Sequence, residues 1–272
     1  NIKNQIKELN PDYNFEFIDT SRTDSVLVAY IGWKSVMKEI IITDSNDFSK
    51  HILGKVYTKL FGYKSNGYFV EIGVGRCMPP NHGSNTANLA DLGWTGVYIE
   101  PNPDYIEEIS ERHKDNNVTI LNYAAGSQNR TTEIKGDTID SDTFNVFKDI
   151  GWYSKEELTR EPVTITEKIT NEIFEEANVP SKFELLTVDV EGWEYEVLKS
   201  LNFKRWRPAV VLLEVRYNDP VFIKNFPNLA SKSQQAVDIL FKNGYRSVYQ
   251  QKNNYNEFFV CDLLGGAVLK GI

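Results

Sequence analysis

Cysteine is scarce in this 272-residue sequence, with only Cys77 and Cys261. Two thiols so far apart form neither a disulfide framework nor a zinc-ligand spacing, and they suit a reducing, cytoplasmic compartment. Long apolar runs are missing too: no stretch approaches the roughly 20 residues that a membrane-spanning helix needs. The N-terminus shows no signal-peptide pattern. Positive charge is in deficit, with 30 Lys and Arg against 38 Asp and Glu and a net charge of −8. That balance argues against nucleic-acid partners, whose nonspecific binding rests on neutralising phosphates. Two phosphate-binding signatures are absent from the first glycine loop. Gly73 and Gly75 are followed by Arg76, Cys77 and Met78, and the next glycine is Gly83, so the Gly-x-Gly-x-x-Gly spacing fails. No Lys-Ser or Lys-Thr pair follows in that loop to hold a triphosphate and magnesium. Repeats and low-complexity tracts are also lacking.

What is present is ordinary globular composition, 41% hydrophobic and 25% charged. Residues 1–66 read as an N-terminal extension. Phe15–Ile18, Val26–Ile31 and Glu39–Thr43 carry strand patterns, and 44–47 could cap a helix over 48–61. From about residue 67 the texture changes to apolar strands alternating with helices. Tyr68–Ile72, Gly96–Glu100, Val118–Leu121, Glu184–Asp189 and Ala209–Glu214 predict five strands. Helices are expected over 84–92 (with Ser84 as N-cap), 103–112, 164–177, 193–201 and 230–243. Tyr245–Tyr249 and Glu257–Cys261 suggest a closing antiparallel pair. This predicts an α/β, Rossmann-like fold over 67–272, with a mainly parallel sheet covered on both faces. A polar stretch at about 136–162, carrying Phe144, Phe147, Trp152 and Tyr153, is too long for a plain connection and reads as a flap.

Acids recur at the strand ends, where ligands bind in such sheets. Glu71 lies in the first strand, and Glu100, Asp189 and Glu214 close the second, fourth and fifth. A carboxylate after the second strand can accept hydrogen bonds from ribose hydroxyls. Glu71 would repel a phosphate, so acids here fit S-adenosylmethionine, which is cationic and phosphate-free, better than a dinucleotide. Asp189, with Glu191 two residues on, is the candidate for the reacting end. Two routes stay open. Asp189, Glu191 or His82 in the first loop acts as general base; or Asp189 and Glu214 hold a divalent cation such as magnesium that lowers the pKa of an acceptor hydroxyl. Trp152, Tyr153 and Trp193 are candidate platforms for a sugar face. Arg216 and Tyr217 are candidate contacts for an acidic acceptor.

Phe69-Val-Glu-Ile-Gly73, Ser84-Asn-Thr86, Leu92 to Pro103 with its Glu100-Pro-Asn-Pro103, and Leu186-Thr-Val-Asp-Val-Glu-Gly-Trp-Glu194 resemble the FkbM-type methyltransferases over about residues 67–215. The resemblance implies a Rossmann-like, S-adenosylmethionine-dependent enzyme that O-methylates sugars or other hydroxylated metabolites. It implies that Glu71, Gly73 and Gly75 line the methionine and ribose side, Ser84 and Asn85 meet the methionine tail, Glu100 binds the ribose, Asn102 flanks the adenosine, and Ala124 and Ala125 let the adenine approach. The expected partner is a small-molecule or saccharide acceptor, and a homo-oligomer stays open. The rivals are an NAD-dependent oxidoreductase and a non-catalytic binding module on the same scaffold.

Overall fold

The apolar runs that end in acids become neighbouring strands. The computed structural model describes residues 26–33, 36–43, 66–77, 83–139, 141–151, 153, 155–250 and 255–261. In chain order the described strands are β1 (Val26–Trp33), β2 (Val36–Thr43), β3 (Tyr68–Ile72), β4 (Thr95–Ile99), β5 (Val118–Leu121), β6 (Ala124–Gly126), β7 (Arg130–Ile134), β8 (Val163–Ile169), β9 (Lys182–Val188), β10 (Arg207–Glu214), β11 (Tyr245–Gln250) and β12 (Asn256–Cys261). The described helices are α1 (Ala87–Asp91), α2 (Pro103–Arg112), α3 (Ser141–Asp149), α4 (Lys155–Thr159), α5 (Thr170–Glu176), α6 (Glu194–Lys199), α7 (Pro220–Asn225) and α8 (Pro227–Lys242).

Seven strands form the central sheet in the order β11-β12-β10-β9-β3-β4-β5. From β10 to β5 every pairing is parallel, while β12 runs antiparallel to both of its neighbours. This is the expected α/β, Rossmann-like arrangement, with the closing antiparallel strand in place. Residues alternate between the two faces as a strand's period of two requires. Val70, Ile72, Val97, Ile99, Leu186, Val188, Val211 and Leu213 enter one buried cluster. Phe69, Tyr98, Leu185, Val210 and Leu212 enter another. The chain leaves β3 toward β4 on one side, and β9 sits on the other side. The order therefore reverses between β3 and β9, the kind of switch point at which open α/β sheets bind ligands.

The backbone ladder continues past the strand ends. Gly73 N donates to Ile99 O at 3.0 Å, Glu100 N to Leu121 O at 3.1 Å, and Asp189 N to Ile72 O at 3.0 Å. Gly73, Glu100 and Asp189 therefore stand side by side along one edge.

Two helix expectations are corrected. Residues 164–177 are not one helix: Val163–Ile169 is β8, and only Thr170–Glu176 is helical. Ile165, Ile169 and Ile173 recur every four residues and imitate a helix face. The alternating, β-branched Val163-Thr-Ile-Thr166 instead joins a three-stranded sheet, β6-β8-β7. Residues 84–86 precede α1 rather than belonging to it. The Ser84 hydroxyl still accepts from the N–H of Ala87 at 3.1 Å, so it serves the first turn from outside.

The 136–162 stretch is more structured than a polar loop. It carries α3 and α4, and Phe144, Phe147 and Tyr153 are buried with Phe222, Leu229 and Ala230 from α7 and α8. Farther upstream, β1 and β2 pair as an antiparallel hairpin. The strand expected at 15–18 and the helix at 48–61 lie outside the described residues, as do Trp152 and His82.

Candidate active site

The first half of the site is the loop after β3. Gly73 has φ +80, and a Cβ there would lie 1.8 Å from the carbonyl oxygen of Asp189. Only glycine lets the loop after β3 press so closely on the end of β9. Beyond it, Glu100 Oε2 accepts the N–H groups of Val74 (3.0 Å) and Gly75 (2.9 Å), and Oε1 accepts from Asn102 N at 2.9 Å. The Glu100 carboxyl is 4% exposed and is pushed up to about 7, because burial outweighs those three donors. Asn102 is the N-cap of α2, its Oδ1 accepting from Asp104 N at 3.1 Å, with Pro103 opening the helix. Ala124 and Ala125 are buried on β6, just past β5.

Glu71 is fully buried and reaches across to the next turn. Its Oε2 accepts from the hydroxyls of Ser84 (2.8 Å) and Thr86 (2.5 Å), and Oε1 from Asn85 N at 2.5 Å. Both oxygens are thus engaged by the chain. Burial still pushes its carboxyl up to about 7, with the three donors opposing. Glu71 shapes the 84–86 turn, and that turn presents Asn85. Asn85 Nδ2 donates to Asp189 Oδ2 at 3.2 Å, which links the loop to the acids beyond β9.

The second half is a knot of carboxylates. Asp189, Glu191 and Glu214 each bring an oxygen within 4.8 Å of the others'. They come together because β9 and β10 are adjacent parallel strands, so Asp189 and Glu214 share one edge. Glu191 has φ +51, a left-handed backbone that a non-glycine residue rarely adopts and that costs about 1–3 kcal/mol. The turn holding it is closed by Glu194, whose Oε1 accepts the N–H groups of Val190 (3.2 Å) and Gly192 (3.0 Å). A Cβ on Gly192 would come 2.8 Å from Thr143 Cγ2, so this glycine lets α3 sit against the turn. Burial is the leading cause that raises the Glu191, Glu194 and Glu214 carboxyls, opposed by Arg216 and reinforced by the neighbouring acids.

Arg216 corrects one expectation. It is 2% exposed and bridges Glu214 Oε1 at 2.5 Å and Glu191 Oε2 at 3.1 Å, while its guanidinium faces the rings of Phe147, Phe222 and Tyr255 at 4.6–5.3 Å. A guanidinium so committed neutralises the chain's own acids and is not presented to an acidic acceptor. Tyr217 instead donates to Glu257 Oε2 at 3.1 Å. Tyr153 is buried and stacked on Phe144 at 5.2 Å, so its ring belongs to the core rather than to a sugar platform. Trp193 is half-buried, with Lys232 Nζ 5.7 Å from its ring.

The structure thus draws Glu71, Gly73, Gly75, Ser84, Asn85, Glu100, Asn102, Asp189, Glu191 and Glu214 to one edge of the sheet. Sequence reasoning missed Thr86 as a partner of Glu71 and Arg216 as the counter-charge. Thr86 sits one residue inside a motif already singled out. Arg216 stands two residues past Glu214, but its other partners lie at 147, 191, 222 and 255.

The family model described as Methyltransferase FkbM domain matches residues 74–247. No curated protein matches the chain. Among solved structures, the chain is similar to the N-methyltransferase NodS from Bradyrhizobium japonicum WM9, at 13% identity and a TM-score of 0.41, covering 80% of this chain and 96% of that one. It is similar to Aeropyrum pernix fibrillarin in complex with S-adenosyl-L-methionine, at 10% identity and 0.44, covering 91% and 99%. The Pyrococcus abyssi tRNA (uracil-54, C5)-methyltransferase in complex with S-adenosyl-L-homocysteine is a weaker likeness, at 14% and 0.34, covering 92% and 44%.

Proposed function

This chain belongs to the FkbM methyltransferase family, and from that premise we propose that it transfers a methyl group from S-adenosylmethionine to a hydroxyl of a sugar or another hydroxylated metabolite. The observation that carries the reading is the junction of the two halves. Asp189 stands beside the glycine loop, its backbone within 1.8 Å of a Cβ that Gly73 lacks and its Oδ2 held by Asn85.

The residues of the first half fit the cofactor. Glu100 is a buried carboxyl just past the end of β4, and once ionised it is the acceptor-only group that suits a ribose diol. The turn of Ser84 and Asn85 offers polar groups for an amino-acid tail. Glu71 acts one step back, by fixing that turn. When bound, S-adenosylmethionine supplies a methyl on a sulfonium, so the carbon–oxygen bond forms as the carbon–sulfur bond breaks and its electron pair stays on sulfur.

The chain's task is to align the acceptor and take its proton. An alcohol is a poor nucleophile until a base relieves it of that proton, and alignment supplies much of the remaining rate. Asp189 is the base in this reading. Its carboxylate accepts the hydroxyl proton, and Asn85 keeps it turned toward the loop. Glu191, in its left-handed turn, flanks the acceptor. A divalent cation at the same acids is the second route to the alkoxide, favoured by the crowding of three carboxylates within 4.8 Å. Residues 136–162, docked through Phe144 and Phe147, serve as the wall over the acceptor side, and 1–66 form the N-terminal extension in this reading.

Calorimetric titration with S-adenosylhomocysteine and with NAD tests the cofactor half. Binding of the first and none of the second is expected, and Glu100→Gln should weaken it about 10- to 100-fold through loss of charge-assisted hydrogen bonds. NAD binding without S-adenosylhomocysteine binding overturns the reading. A screen of hydroxylated acceptors with labelled S-adenosylmethionine then identifies the substrate.

A further inference from the structure

We infer that Asp189, Glu191 and Glu214 form a site for one hard divalent cation, with Arg216 as a built-in counter-charge that orients two of the three ligands. The inference rests on the proposed methyl transfer and deepens its second route, in which the cation, with Asp189 as a ligand rather than the base, meets the acceptor oxygen.

Geometry comes first. Two oxygens on opposite sides of one ion stand about 4.1 Å apart for Mg2+ and about 4.8 Å apart for Ca2+, given their usual metal–oxygen distances. The three carboxylates each offer an oxygen within 4.8 Å of the others. An ion equidistant from three oxygens 4.8 Å apart would stand about 2.8 Å from each, so an inward rotation of the carboxylates by a few tenths of an ångström brings all three within the reach of one Ca2+-sized ion.

A crowd of acids alone would not make a site. The second observation is Glu214 Oε2. Glu214 is 6% exposed, and this oxygen is buried with no hydrogen-bond partner among the described residues. A buried carboxylate oxygen left without a donor costs free energy unless something positive meets it. Arg216 does not meet it, because Nη2 takes the other oxygen, Oε1, of Glu214 and Oε2 of Glu191. By holding one oxygen of each glutamate, the guanidinium fixes both carboxylates. The rings of Phe147, Phe222 and Tyr255 hold the guanidinium in turn.

Charge agrees with geometry. With all three ionised, the state that a bound cation favours, three carboxylates against one guanidinium leave two negative charges, which one divalent ion neutralises. Glu194 is spent on the N–H groups of Val190 and Gly192 and is not counted as a ligand. Three carboxylates also leave coordination positions open, as a six- to eight-oxygen ion requires. An acceptor hydroxyl bound at one of them would be acidified by the ion.

The probe is Mn2+ alone, added to chelator-stripped protein and followed by the electron paramagnetic resonance of the free ion. One Mn2+ per chain, displaced by excess Mg2+, is expected. Glu191→Gln and Glu214→Gln should each weaken it at least tenfold. Glu191 is half-buried, so its variant remains informative where Glu214→Gln fails to fold, and retained S-adenosylhomocysteine binding certifies the fold. Wild-type protein that leaves all Mn2+ free up to about 1 mM, the weak end for oxygen-ligand sites, overturns the inference. So does equal binding in both variants. S-adenosylhomocysteine binding without Mn2+ binding removes the cation site alone; Mn2+ binding without S-adenosylhomocysteine binding removes the transferase reading alone.

Discussion

At the scale of single residues, Glu100 shows how burial sets chemistry. It holds three backbone N–H groups, yet burial leaves its carboxyl pushed up to about 7. The unfolded chain releases that proton near 4.5. Between those values the folded protein holds a proton that the unfolded chain has lost. Stability is therefore fully present below about 4.5 and declines as pH rises toward 7. A shift of this size is worth about 3 kcal/mol. Glu71 contributes with the same sign, since burial also pushes it up to about 7. Urea midpoints between pH 5 and 7.5 should therefore fall for the wild type, and Glu100→Gln should flatten that fall by about 2–3 kcal/mol. Parallel pH profiles for the two proteins would refute this account of Glu100.

At the scale of elements, α3 anchors the 136–162 stretch. Phe147 is fully buried, packs edge-on to Tyr153 at 6.1 Å and faces the Arg216 guanidinium at 4.8 Å. Phe147→Ala should cost about 3–5 kcal/mol where it packs. Because α3 is joined to the sheet through side chains rather than a ladder, the loss should be local. Limited proteolysis should cut within 136–162 faster, while S-adenosylhomocysteine affinity stays unchanged. Unaltered cleavage would mean that α3 is held by something other than this cluster. The elements differ in how legible they were. β3, β4, β9 and β10 are short apolar runs in a sheet covered on both faces, so composition alone marks them. β8 was hidden because Ile165, Ile169 and Ile173 satisfy a helical period while Val163 to Thr166 satisfy a strand period. Its sheet partners β6 and β7 settle which period wins, and no local signal carries that information. The same holds for the site. Gly73, Glu100 and Asp189 were readable from their places at strand ends. Arg216 was not, because its partners converge only in three dimensions.

At the scale of the whole molecule, the sheet divides labour at its switch point. In the proposed reading, β3 and β4 carry the cofactor half, and β9 and β10, their neighbours across the switch point, carry the acceptor half. Beyond the parallel ladder of β3 with β9, two contacts join the loops at that edge: Gly73 against the Asp189 backbone, and Asn85 against the Asp189 carboxylate. The first contact is main chain and survives substitution of the Asp189 side chain. The second is one hydrogen bond, worth about 1 kcal/mol. Removing the charge of Asp189 should therefore reach the cofactor only weakly. For Asp189→Asn, S-adenosylhomocysteine affinity should change by less than about fivefold. Methyl transfer should fall about 100- to 10,000-fold, the range for loss of a general base. Glu100→Gln should show the reverse, with weakened cofactor affinity and a kcat at saturating S-adenosylmethionine close to wild type. Equal losses of binding and turnover in both variants would mean that the two halves are one site, and that the switch point joins rather than divides them.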